Sequence, residues 1–172
     1  MNFSYDGLVA GTPGQATYYN FTQANESRTP VIYTGANDGM LHAFNADTGV
    51  ELFSYVPSVV YSKLSALTSP NYTHRYIVDG NTYAGDAYIG ATPSWKTILL
   101  GTTGGGGKGI FALDITDPTN FTASNVMWEF TDADLGFVHG QAKIALLNDG
   151  TWVAIISNGY NSTSDKAYLY VV

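Results

Sequence analysis

Cysteine is absent from the 172 residues, which removes disulfides, thiolate metal sites and cysteine nucleophiles together. The compartment stays open, because only a positive cysteine pattern marks an oxidising one. Charge is scarce as well. Charged residues are 12% of the chain, about half the usual share, and seven Lys and Arg stand against fourteen Asp and Glu. Nucleic-acid binding and attachment to an anionic membrane both need clustered cations, and a net charge of −7 argues against each. No run of eighteen apolar residues occurs, so the sequence offers no spanning helix. Met1 is followed by neither a basic segment nor an apolar stretch; the expectation is that an exported parent carries its signal upstream and that this chain is part of a longer product.

What is abundant points one way. Aromatics reach 14%, thirteen of them tyrosine, and nineteen glycines punctuate the chain. Few charges with many Tyr, Thr and evenly spread Gly favour strands and tight turns. Residues 1–29, rich in Gly, Asn, Gln, Ser and Thr, read as a loop-rich lead-in with one strand near 15–21. A repeated unit follows: an apolar strand, a Gly-containing turn, a second strand ending in Asp or Asn, and a third strand with aromatics. The first copy is VIYTGANDGMLHAFNADTGVELFSYV (31–56). The second is TILLGTTGGGGKGIFALDITDP followed by VMWEF (97–130), and the third opens with VAIISNGY at Val153 and resumes with AYLYVV to Val172.

Aligning the second strands makes Leu41, Ile110 and Leu169 equivalent, 69 and 59 residues apart. That spacing is too long for a simple hairpin array and suits four-stranded blades with loop insertions. Leu41 and Ala43 point to one side of their strand, His42 and Phe44 to the other. Both sides are largely apolar, as in a sheet packed between two neighbours, and Ala43 coincides with Ala112 at a spot that wants a small side chain. The fold class is all-β: an incomplete β-propeller of two to three four-stranded antiparallel blades in a single partial domain, with repeats starting near 31, 97 and 153. The third repeat stops where the others have Asn45 and Asp114, and so few blades do not close a ring. One segment reads as a short helix, 58–68, where Val60, Leu64 and Leu67 fall at helical spacing behind a Ser58 N-cap.

Several patterns invite chemistry and fall short of it. GGGGKG (104–109) fits a dinucleotide fingerprint by letters, but the strand-like IFALDI follows where a helix is required, so a flexible hairpin loop is the reading. Asp79, Asn81 and Asp86 lack the spacing of a calcium loop and read as turn residues flanking a strand. Asn37-Asp38-Gly39 and Asn148-Asp149-Gly150 are hairpin turns, as is Asp47-Thr48-Gly49, and Asp132 and Asp134 are loop carboxylates. His42, His74 and His139 form no close pair, and His42 takes the place held by Phe111 and Tyr170 in the other repeats, which makes it a packed structural residue. Trp95, Trp128 and Trp152 read as packing between sheets. Six N-x-S/T sequons, at Asn2, Asn20, Asn25, Asn71, Asn120 and Asn161, reflect a surface rich in Asn, Thr and Ser. No catalytic, cofactor-binding or metal residue is assigned.

The ordered string of motifs is more specific than the repeat. GANDGMLHAFNADTGVELFSYVP from Gly35, YTHRYIVDG from Tyr72, GDAYIG from Gly85, WKTILLGTTGGGGKGIFALDIT from Trp95, WEF at Trp128 and LGFVHGQAKIALLNDGTWVAIISNGYNS from Leu135 follow one another over about 140 residues. The string resembles the propeller of the PilC/PilY family of type IV pilus tip proteins. The resemblance implies a non-enzymatic protein, exported to the bacterial surface, pilus tip or outer membrane, that acts in pilus assembly, retraction control and adhesion. It implies as partners minor pilins at the pilus tip, host or abiotic surfaces, and further propeller blades, with no nucleic acid and no membrane insertion. The calcium loop of that family is expected outside this chain, which therefore carries no cofactor. Two rivals share similar repeats: a quinone-cofactor dehydrogenase, though its vicinal cysteine pair is impossible here, and a periplasmic outer-membrane assembly scaffold.

Overall fold

The computed structural model describes residues 8–172; the sequon at Asn2 lies outside them. Ten strands form three antiparallel sheets. Sheet 1 holds β1 (Val31–Gly35), β2 (Leu41–Asn45) and β3 (Glu51–Tyr55) in chain order. Sheet 2 holds β4 (Thr82–Ile89), β5 (Ser94–Thr102), β6 (Ile110–Asp114) and β7 (Val126–Phe130). Sheet 3 holds β8 (Lys143–Leu146), β9 (Trp152–Ser157) and β10 (Leu169–Val171). The strands at which the second and third repeats begin, β5 and β9, are each preceded by one that repeat counting passed over. β4 and β8 stand outside the repeat alignment because Gly85, Asp86 and the short KIAL break the apolar alternation that marks the others.

β2, β6 and β10 start at Leu41, Ile110 and Leu169, the residues that repeat alignment makes equivalent. Sheets 1 and 2 also share a defect: the register of β2 with β3 shifts between Ala43 and Phe44, and that of β6 with β7 between Ala112 and Leu113. At the same place in both sheets one residue of the outer strand, Leu52 in β3 and Met127 in β7, is left out of the pairing as a bulge. Ala43 and Ala112, just before it, are each fully buried.

Sheet 2 is buried on both faces. Ile98, Leu100, Ile110 and Ala112 meet Leu135, Val138, Ala142, Ala154 and Ile156 of the sheet 3 side. Their neighbours in sequence, Leu99, Phe111 and Leu113, point the other way onto Leu41, Tyr33, Phe53 and Tyr55 of sheet 1. A period of two sends alternate residues to opposite faces, so a continuous apolar strand such as ILL or IFAL serves two interfaces at once.

Two segments depart from expectation or sharpen it. Residues 15–21 are not a strand: Gln15–Ala24 is an α-helix, α1. Tyr18 and Phe21, three apart and so on one helical face, pack against Trp95 with ring centroids 4.4 and 6.3 Å away, and this docking overrides the weak local preference. Residues 58–68 are helical as expected, a 3-10 turn (Ser58–Val60), α2 (Tyr61–Leu64) and a second 3-10 turn (Ser65–Thr68). Pro57 is the cap residue there, and the Ser58 hydroxyl donates instead to Glu129 of β7.

Candidate functional surface

β3 ends at Tyr55 opposite Leu41, and β7 ends at Phe130 opposite Ile110. The connections that leave β3 and β7 for the next sheet therefore emerge at the same end as the β1–β2, β5–β6 and β9–β10 loops. Hydrogen bonds stitch the two kinds of loop together. Ala36 O accepts from Val78 N (3.3 Å), Thr103 O from Asp79 N (3.3 Å) and Asn158 O from Gly136 N (2.7 Å). Phe137 and Tyr160 exchange both backbone bonds, at 2.8 and 3.2 Å.

Glycine permits this approach. A Cβ on Gly106 would lie 1.7 Å from Ile77 O, and one on Gly80 2.1 Å from Thr102 O. The GGGGKG loop is accordingly packed, not flexible: Gly104, Gly106, Gly107 and Gly109 are buried, and the Lys63 ammonium donates to Gly106 O. Its glycines admit a neighbouring backbone, not a phosphate, and strand β6 follows in place of a helix.

The carboxylates sort into roles that sequence could not separate. Asp86 is no turn residue; it lies within β4, 6% exposed, accepting from Tyr18 OH (2.9 Å) and Thr97 Oγ1 (2.6 Å). Asp79 and Asn81 sit in the connection before β4, and Asn81 Nδ2 donates to His139 O (2.7 Å). Asp132 accepts from Tyr170 OH (2.8 Å); burial and that bond push the Tyr170 phenol up to about 12. Glu129 joins sheets 1 and 2, accepting from Tyr55 OH, from the Ser58 hydroxyl and from Ser58 N (2.9 Å). Burial pushes the Glu129 carboxyl up, but the Ser58 and Tyr55 bonds outweigh it and hold it below its ordinary value.

His42 is held between two carboxylates and not by apolar packing alone. Its Nδ1 is 2.7 Å from Glu51 Oε1 and its Nε2 2.9 Å from Asp38 Oδ2. The fold does not bring the three histidines together: His74 meets Asn37 and Tyr76 on one side of the loop end, while His139 stacks on Tyr160 on the other, 5.4 Å between centroids. Among the described residues no group of three or more His, Asp or Glu could hold a metal ion, and no helix is long and apolar enough to cross a membrane.

A cavity of about 70 Å³ lies between sheets 2 and 3, lined by Ile98, Leu100, Trp128, Ile144 and Trp152 among others. Cofactor-sized sites occupy roughly 300–1,000 Å³, so it has room for a small apolar group and not for a quinone cofactor.

The feature that residue counting misses is where tyrosine is exposed. Six of the twelve described tyrosines are exposed, and five of these, Tyr61, Tyr72, Tyr76, Tyr160 and Tyr168, lie on the loop end; Tyr19 of α1 is the sixth. They stand among Asn, Gly and Ser in loops such as SPNYTHRYIVDG and SNGYNSTS. Tyr supplies rigid amphipathic contact area, and Ser, Gly and Asn adaptable hydrogen bonding, the composition of protein-binding loops.

Stacked antiparallel sheets whose strands take the same roles in turn, with loops gathered at one end, define the blade stack of a β-propeller. The chain belongs to the PilY1 beta-propeller domain family, whose model matches residues 5–172. It is 45% identical over 167 residues to a type IV pilus biogenesis factor PilY1 homolog of Xylella fastidiosa, covering 95% of this chain and 13% of that protein. It is 41% identical over 161 residues to the type IV pilus biogenesis factor PilY1 of Pseudomonas aeruginosa UCBPP-PA14, covering 90% of this chain and 14% of that one. The crystal structure of the P. aeruginosa PilY1 C-terminal domain superposes with a TM-score of 0.73 at 39% identity, covering 90% of this chain and 30% of that chain. The chain thus spans about one seventh of the curated relatives it matches.

Proposed function

We propose that this chain is part of an exported, pilus-associated protein whose stacked sheets act as a non-enzymatic scaffold, presenting the tyrosine-rich loop end to a protein partner. The carrying observation is the gathering on that end of five of the six tyrosines that are exposed among the described residues. The rest of the scaffold suits the role: loops tied backbone to backbone through Gly80, Gly106, Gly136 and Gly159 lose little freedom on binding. The relatives' names as type IV pilus biogenesis factors point to a partner within the pilus machinery, with a minor pilin at the tip the leading candidate and a host or abiotic surface the next. Any calcium dependence of the parent is assigned to residues beyond this segment.

The test deletes the parent gene and restores it with wild type or with Tyr76→Ala/Tyr160→Ala. Surface pili are counted by electron microscopy with and without the retraction motor, and sheared pili are probed for the protein. Wild type should restore pili and co-purify with them, while the double variant, folded by circular dichroism, restores fewer. Full function of the double variant would overturn the loop-end assignment. Unchanged piliation and attachment on deletion would overturn the pilus role itself.

A further inference from the structure

Each ring nitrogen of His42 faces a carboxylate, Nδ1 that of Glu51 on β3 and Nε2 that of Asp38 in the β1–β2 turn. An ionised carboxylate only accepts, and a neutral imidazole donates from one nitrogen alone. Both contacts are hydrogen bonds together only when the ring is the imidazolium. A neutral ring keeps one and turns a lone pair on the other carboxylate. The fold does not require histidine at this place, since the second residue of β6 is Phe111 and that of β10 is Tyr170.

The turn that the ring holds is also the anchor of the connection from β3 to β4. Asp38 Oδ1 accepts from Met40 N (3.0 Å). Its neighbour Asn37 accepts from Ile77 N on Oδ1 (3.1 Å) and presents Nδ2 to His74 Nε2 (3.0 Å). Ala36 O takes Val78 N (3.3 Å). Residues 69–80, which carry exposed Tyr72, His74 and Tyr76, are therefore fastened through the same turn.

We propose that His42 is a proton-operated clamp: charged, it ties the β1–β2 turn to β3 and holds residues 69–80 in order; neutral, it lets the turn and that connection loosen. The clamp needs no partner to operate, but its consequence for binding rests on reading the loop end as the binding surface. The residues beside His42 on β1 and β3 are Thr34 and Ser54, which carry no charge. Phe44 stacks on the ring at 5.7 Å. The other titratable side chain reaching the turn is His74, whose Nε2 lies 3.0 Å from Asn37 Nδ2. The Glu51 bond is the largest influence on His42; burial opposes it, Asp38 adds to it, and the net effect raises the pKa above 6.5. With a raised folded pKa the stabilisation is complete below the unfolded value and is lost as pH rises through the folded one. Release thus falls on the alkaline side.

Hydrogen exchange at the Met40 and Ile77 amides, followed by NMR in the full chain from pH 6 to 9 and corrected for intrinsic rates, tests the clamp without any partner. Protection should fall about threefold to tenfold as one group loses its proton, with the midpoint of the His42 ring titration. The fall should vanish in His42→Phe and persist in His74→Phe. Constant protection in wild type, or an equal fall in His42→Phe, overturns the proposal. Should His42→Phe not fold, wild-type midpoints that differ between the ring and the Ile77 amide overturn it equally. Loss of the partner reading leaves these exchange rates untouched, so the two failures are distinguishable.

Discussion

At the scale of single residues, the closest approaches belong to glycine and the strongest ties to carboxylates. Gly106→Ala would drive a Cβ into Ile77 O, a backbone atom that cannot swing aside; the expected cost is about 3 kcal/mol in a denaturant titration. Gly49 is the control. Unlike Gly106 it has positive φ (+72°), with open space around it, so Gly49→Ala should cost only the left-handed strain of about 1 kcal/mol. Glu129 makes a pH prediction. Its carboxyl is held low by Ser58 and Tyr55, so its contribution is present above about pH 4.5 and is lost as the pH falls through the lowered folded value. The residue is exposed, and solvent screening limits the effect: Glu129→Gln should cost no more than about 1 kcal/mol at pH 7. The same variant should flatten the loss of melting temperature between pH 5 and pH 3. None of these partners is near in sequence, Gly106 lying 29 residues from Ile77 and Glu129 71 from Ser58, so no local pattern announces them.

At the scale of elements, α1 shows how tertiary contact decides a marginal segment. QATYYNFTQA has no N-terminal acid, no C-terminal base and no side-chain cap, and its tyrosines and threonines favour a strand as readily. What makes it helical is its dock: Tyr18 reaches Asp86, Trp95 Nε1 donates to Gly14 O (2.9 Å), and the Tyr18 and Phe21 rings lie on Trp95. Tyr18→Phe keeps the ring and removes one donor from a buried carboxylate. A loss of about 1–2 kcal/mol is expected, read as faster amide exchange confined to α1. The helix at 58–68 was legible because its apolar spacing is local, and the NDG turns because positive φ at Gly39 and Gly150 is a property of glycine itself. The extent of β4 was not legible, since a buried Asp86 satisfied from α1 and β5 looks like a turn residue at the strand's edge until those donors are in place.

At the scale of the whole molecule, sheet 2 is the shared core. Leu99 and Leu100 are adjacent, each 1% exposed, and face sheets 1 and 3 respectively. Either leucine cut to alanine should cost about 3 kcal/mol through lost burial and a residual cavity. The damage should differ in direction: Leu99→Ala loosens exchange in β2, and Leu100→Ala loosens it in β9. Loosening of the same strand by both variants would mean that the two interfaces do not act separately. Because both lean on one central sheet, the stack should melt in a single calorimetric transition.

The sequence by itself determined the strand class, the repeat that makes Leu41, Ile110 and Leu169 equivalent, the turn positions, and through its ordered motifs the family. Those are properties of periodicity and of glycine's freedom, which act over a few residues. Only the tertiary structure decided that residues 15–24 are a helix, that the glycine-rich loop is a backbone packing seam, that His42 stands between two carboxylates, and that exposed tyrosines gather at one end. Each depends on groups brought together across tens of residues, and such neighbours exist only once the sheets have stacked.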